Sequence, residues 1–121
     1  MTKTKSSEMV IFTQTFDLLT WLIPALDSFP RNHRFGATER LQNAAYDFQE
    51  AIFHANVNFG DKRKAHLTNA SAHLDTLRLY LRLAHKWQWL SDGQYEHVSA
   101  MVVNIGKLLG GWIRQSSQVN H

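Results

Sequence analysis

Four stretches of this chain repeat apolar residues at alternating spacings of three and four, the mark of one buried face on an α-helix. Over about residues 8 to 28, Phe12, Phe16, Leu19, Ile23 and Leu26 form a seam that Ile11, Leu18, Leu22 and Ala25 widen. Ser6 or Ser7 is placed to cap this first helix ahead of Glu8, and Pro24 is expected to bend it near Thr20 by removing a backbone donor. Over 37 to 59, Leu41, Ala45, Phe48, Ile52, Ala55 and Phe59 step by four and three, with Gly60 suited to the position after the helix. Over 61 to 90 the seam is Leu67, Ala70, Leu74, Leu77, Leu81 and Ala84, with Asp61 as a possible cap. Over 92 to 115 it is Tyr95, Val98, Val102, Ile105, Leu109 and Trp112, with Ser91 or Asp92 as cap. The connection Phe29-Pro30-Arg31-Asn32-His33-Arg34-Phe35-Gly36 breaks the period, since Pro30 disfavours helix at Phe29 and Gly36 admits a positive φ. Nothing alternates as a strand would. The prediction is all-α, an antiparallel up-down-up-down four-helix bundle forming one domain over residues 1 to 121, with polar ends at 1 to 6 and 116 to 121.

The third helix carries a second apolar face. Ala72, Leu79, Leu83, Trp87 and Leu90 fall nearly opposite its seam. One small core cannot satisfy both sides, so self-association through Leu79, Leu83 and Trp87 is expected. Gly106 and Gly110, with Gly111, lie mid-helix in the fourth stretch, where each glycine costs about 1 kcal/mol relative to alanine. A close approach of another backbone would offset that, which adds Gly106 and Gly110 to the expected oligomer interface. Trp21, Trp87 and Trp89 lie off their seams and fit a subunit interface better than base stacking.

Composition narrows the chemistry. Length and a hydrophobic content of 44% fit a single globular domain. There is no cysteine, hence no disulfide, Cys-ligated zinc or thiol nucleophile, and a reducing, cytoplasmic location is expected. No apolar run approaches the roughly 20 residues that span a bilayer, and polar Gln14, Thr15 and Asp17 argue against a leader. Seven histidines raise the question of metal, but a di-iron bundle needs inward glutamates and paired Glu-x-x-His motifs. The nearest approach is Glu50 with His54, and no second such pair exists. No nucleophile elbow, phosphate-cradling glycine loop or inward carboxylate pair occurs. No catalytic residue, metal site or cofactor is assigned, and the chain is not expected to be an enzyme.

The net charge of +3 is modest, but its placement is not even: residues 61 to 90 hold six Lys/Arg against two Asp. Arg78, Arg82 and Lys86 follow one another at single-turn spacing, Lys62, Arg63 and Lys64 open the third helix, and Arg31, His33 and Arg34 sit in the first connection. Cations so spaced can follow a phosphate backbone, which points to RNA or DNA bound without strong base specificity.

Three motifs then stand in order: Phe29-Pro30-Arg31-x-His33, Leu77-Arg78-Leu79-Tyr80-Leu81-Arg82-Leu83-Ala84, and Gly106-Lys107-Leu108-Leu109-Gly110-Gly111-Trp112-Ile113. With them the chain resembles the accessory variability determinants of diversity-generating retroelements, within a wider four-helix family that includes proteins encoded in 23S rRNA intervening sequences. The resemblance implies a homopentameric barrel of four-helix protomers with a basic outer surface. It implies the retroelement's reverse transcriptase as partner, and a part in copying template RNA into mutagenised cDNA that diversifies a target gene. It also implies that Arg31, His33, Arg78 and Arg82 contact polymerase or nucleic acid. The end from Ser116 to His121 lacks basic residues for an RNA contact of its own. The alternatives are a bundle protein acting on ribosomal RNA and a metal-using helical enzyme built on Glu50 and His54.

Overall fold

The computed structural model describes residues 2–119, with side chains described over residues 10–117. Four α-helices account for nearly all of it: α1 Thr2–Ala25, α2 Ala37–Val57, α3 Gly60–Lys86 and α4 Asp92–Val119. Two 3₁₀ turns, Leu26–Ser28 and Arg31–His33, join α1 to α2, and no strand occurs among the described residues. The helices form a bundle in which each packs on the next along the chain and α4 returns to α1.

The seams of α2, α3 and α4 bury as their spacing requires. Leu41, Ala45, Phe48, Ile52 and Ala55 of α2, all six seam residues of α3, and Val98, Val102, Ile105, Leu109 and Trp112 of α4 are in the core. In α1 Leu19 and Leu26 of the expected seam are buried, but the rest of the core face is rotated from it. Ile11, Thr15, Leu18 and Leu22 point inward, Phe12 is half-buried against Trp112, and Phe16 is 67% exposed. The real seam has polar Thr15 at its centre, and its Oγ1 is buried with no hydrogen-bond partner.

Helix ends differ from expectation for local reasons. α1 begins at Thr2, ahead of Glu8; the capping role given to Ser6 or Ser7 lies outside the described side chains. Pro24 stands inside α1, one residue from its end, where the chain tightens into the 3₁₀ turn Leu26–Ser28. α2 stops at Val57 because Asn58 is extended, while the Asn58 side chain donates to the His54 carbonyl at 2.7 Å. Phe59 is therefore not a seam residue but the N-cap of α3, 77% exposed, and Asp61 lies in the first turn rather than capping it. Gly60, at φ +59°, opens α3, whereas Gly36 has a negative φ.

α3 ends at Lys86, before Leu90. Gln88 takes φ +61°, its N–H donates to the His85 carbonyl at 2.9 Å, and the Trp89 N–H donates to the Ala84 carbonyl at 2.8 Å. This is a Schellman stop with glutamine where glycine is usual. It turns Leu90 into the core, so Leu90 does not belong to the outer face of α3. α4 starts with a reciprocal cap: the Gln94 N–H donates to Ser91 Oγ and the Ser91 N–H to Gln94 Oε1. It continues to Val119, so Ser116 is a buried helical residue rather than the start of a polar tail; residues 120 and 121 of that tail lie outside the described residues.

Candidate functional site

The expected cations fall into three places. The first is the end of the bundle where the α1–α2 and α3–α4 connections meet. Pro30, at φ −57°, starts the Arg31–His33 turn, which is held by the His33 N–H on the Pro30 carbonyl and the Arg34 N–H on the Arg31 carbonyl, both at 3.1 Å. The turn leaves Arg31 and Arg34 exposed and aims His33 inward. The His33 ring lies 4.9 Å from Trp89 and 6.1 Å from Trp87, Trp89 rests 5.4 Å from Phe29, and the two indoles are 5.1 Å apart. Thus His33 belongs to an aromatic stack, and Trp89 packs within its own protomer. Lys86 is exposed in the last turn of α3 beside this stack. Behind the turn, a cavity of about 490 Å³ takes its walls from Arg31, Arg34, Phe35 and Thr38. Asp27 and Glu39 also line it and offset its positive charge.

The second place is a groove of about 320 Å³ between α3 and α4. Arg78 and Arg82 stand on its rim, and Leu81, Val102 and Val103 line it. Arg78 Nη1 donates to Asp75 Oδ1 at 3.1 Å, an exposed pair of small energetic weight. Among the described residues no carboxylate pairs with Arg82. Tyr95 closes one end of the groove, stacked on His85 with ring centroids 4.2 Å apart and planes 3° from parallel. His85 Nε2 lies 2.7 Å from Asp92 Oδ1, tying the last turn of α3 to the first turn of α4.

The third place is the start of α3, where Lys62 and Lys64 are exposed. Arg63 between them is committed to the fold. Its Nε donates to the Ala55 carbonyl at 2.8 Å and its Nη2 to the Asn56 carbonyl at 3.2 Å, satisfying the last turn of α2. A cation there also opposes the negative end of the helix dipole. The guanidinium sits 5.1 Å above the Phe59 ring and 6.0 Å from Trp112.

On the outer side of α3, Leu79 is 61% exposed, Trp87 48% exposed and Leu83 half-buried. The glycines of α4 do not meet a neighbouring backbone inside the protomer. The Arg78 guanidinium covers Gly106, and arginine again is nearest at Gly110, where Arg114 Nη1 lies 3.5 Å from the place of a β-carbon. Trp21 is half-buried and packs 5.3 Å from His97.

Glu50 and His54 are both exposed, and His54 stacks on His66 at 5.4 Å. No group of three or more His, Asp or Glu side chains able to hold a metal occurs among the described residues. No described helix is long and apolar enough to cross a membrane. The feature that sequence reasoning missed is the stack of Phe29, Trp89, His33 and Trp87. Its only signal was a set of aromatic residues in two connections, and their meeting depends on the tertiary fold.

A family model described as bAvd-like matches residues 9–116 of the chain. No curated protein matches it.

Proposed function

The chain belongs to the bAvd-like family, and we propose that it serves a diversity-generating retroelement as a non-catalytic accessory protein. In this role it binds the element's reverse transcriptase together with template RNA or cDNA, and supports mutagenic copying for diversification of a target gene. The family match over residues 9–116 is the observation that carries the reading, and it favours the retroelement role over a ribosomal-RNA one. The surface chemistry agrees with it. Arg31, Arg34, Lys62, Lys64, Arg82 and Lys86 are all exposed and spread over both ends and one flank of the bundle, as backbone contacts to a long polyanion require.

The assembly in this reading is a homo-oligomeric ring of antiparallel up-down-up-down bundles. Two contacts support the antiparallel order: His33 of the first connection touches Trp87 and Trp89 of the third, while Arg63 at the start of α3 reaches Trp112 near the end of α4. Leu79, 61% exposed, and Leu83 beside it give α3 an outer apolar strip suited to a neighbouring subunit. A head-to-tail contact that closes produces a ring. The number five rests on the family resemblance.

Co-expression with the reverse transcriptase encoded beside it tests the proposal. The protein should co-purify with that polymerase and raise cDNA yield from the template RNA. Absence of both effects, or a gene neighbourhood with no reverse transcriptase and no variable and template repeats, would overturn it.

A further inference from the structure

Of the four tryptophans, Trp87 alone keeps about half of its surface, 48%, open to solvent, and it does so from a fixed position. It is the C-cap of α3, its N–H donating to the Leu83 carbonyl at 3.0 Å, and the positive φ of Gln88 sets the turn that follows. Trp89 packs on the indole with planes inclined at 56°, and the His33 ring lies against both tryptophans. A half-exposed aromatic ring held this way costs little further ordering when a flat ligand lands on it.

The surroundings decide what lands there. Arg31 and Arg34 are exposed on the turn that carries His33, and Lys86 is exposed next to Trp87 in the chain. Asp27 and Glu39 share the cavity behind the turn with Arg31 and Arg34 but, among the described residues, form no ion pair with them, and Asp92 pairs with His85. A second copy placed face to face on the patch would set these cations against their own kind, and the head-to-tail contact of the ring is given to Leu83 and Leu79, one and two turns before Trp87 along α3. A polyanion with a flat apolar group would match both features.

Resting on the nucleic-acid-binding reading above, we propose that Trp87 is a stacking platform for an unpaired base. Arg31 and Lys86 hold the flanking phosphates, so that this end of the bundle takes single-stranded RNA or DNA in preference to duplex. Every base offers a π-face, so the site is tolerant of sequence, and a paired base keeps that face inside its own stack.

The test uses the full chain with oligouridylate and oligothymidylate as probes, and a hairpin duplex of the same length as competitor. Both single strands should bind more tightly than the hairpin and quench tryptophan fluorescence. Trp87→Ala should weaken single-strand binding by roughly tenfold, the scale of one base stack, and remove most of the quench. Trp87→Tyr, which keeps a ring and guards against misfolding, should retain most of the affinity. Single-strand affinity unchanged in Trp87→Ala would overturn the platform while leaving nucleic-acid binding intact. So would preference for the hairpin, or a drop in solution mass in Trp87→Ala with binding preserved, which would mark a subunit contact. If neither probe nor hairpin binds the native protein, the functional reading falls with it.

Discussion

The guanidinium of Arg78 lies over Gly106, filling the space that a β-carbon at that position of α4 would need, with Leu74 alongside. The glycine is thus accounted for by an arginine of its own protomer. In a helix interior it costs about 1 kcal/mol relative to alanine. The obstructing atom is the free end of a flexible side chain, so Gly106→Ala should raise stability to urea by up to about 1 kcal/mol. It should also push Arg78 off the groove rim and weaken polyanion binding, with solution mass unchanged. Dissociation of the assembly in this variant would instead put Gly106 against a neighbouring subunit.

Thr15 gives a second test, inside the core. Its Oγ1 is buried without a partner on the face of α1 that also buries Ile11, Leu18 and Leu22. A buried hydroxyl without a hydrogen bond loses its hydration for nothing, at a cost of about 1–3 kcal/mol. Thr15→Val keeps the branched shape and removes the hydroxyl, so the midpoint of urea or thermal unfolding should rise by the equivalent of about 1 kcal/mol. A fall would show that the hydroxyl is satisfied in solution.

The same residue explains where sequence reasoning goes astray. In α3, each seam residue from Leu67 to Leu77 has polar neighbours on both sides, and the buried set there can be read directly from the chain. In α1, Phe12 and Phe16 outweigh Thr15 on any hydrophobicity scale, and a seam drawn through them runs one position off the buried Ile11 and Thr15 before meeting the core at Leu19 and Leu26. The end of α3 is hidden in another way: Gln88 adopts the left-handed turn usually signalled by glycine, while Trp87, Trp89 and Leu90 prolong the apolar pattern. The cap of α4 is visible because Ser91-x-x-Gln94 is a local device. Among the cations, exposure of Arg82, Lys62 and Lys64 follows from the helical wheel. The diversion of Arg63 onto the α2 carbonyls and of His33 into an aromatic stack depends on contacts between distant segments, which spacing along one helix does not encode.

Leu79 stands 61% exposed in the middle of a long helix whose inner face is already filled. Leu79→Glu removes apolar surface from the outer strip and adds charge there without entering the core. Sedimentation should show a smaller assembly with helical circular dichroism preserved, and Leu83→Glu, from a half-buried position, should do the same with some added loss of stability. An intact oligomer in both variants would mean that α3 meets its neighbours through a different face.

Arg78 and Arg82 share the rim of the α3–α4 groove, one turn apart, and only Arg78 has a carboxylate partner among the described residues. If both bind phosphates, each releases counterions on binding, and the logarithm of affinity must fall linearly with the logarithm of salt concentration. Replacing both with alanine should flatten that slope by roughly 1.4–1.8, about 0.7–0.9 for each phosphate no longer neutralised. Affinity at low salt should drop in step, while affinity extrapolated to high salt changes little. The Asp75 pair means that Arg78 must exchange one anion for another, so Arg82→Ala alone should account for at least half of the effect. A double variant with the native slope would show that the groove arginines bind no phosphate, and would leave the bundle end around Arg31, Arg34 and Lys86 to carry the polyanion.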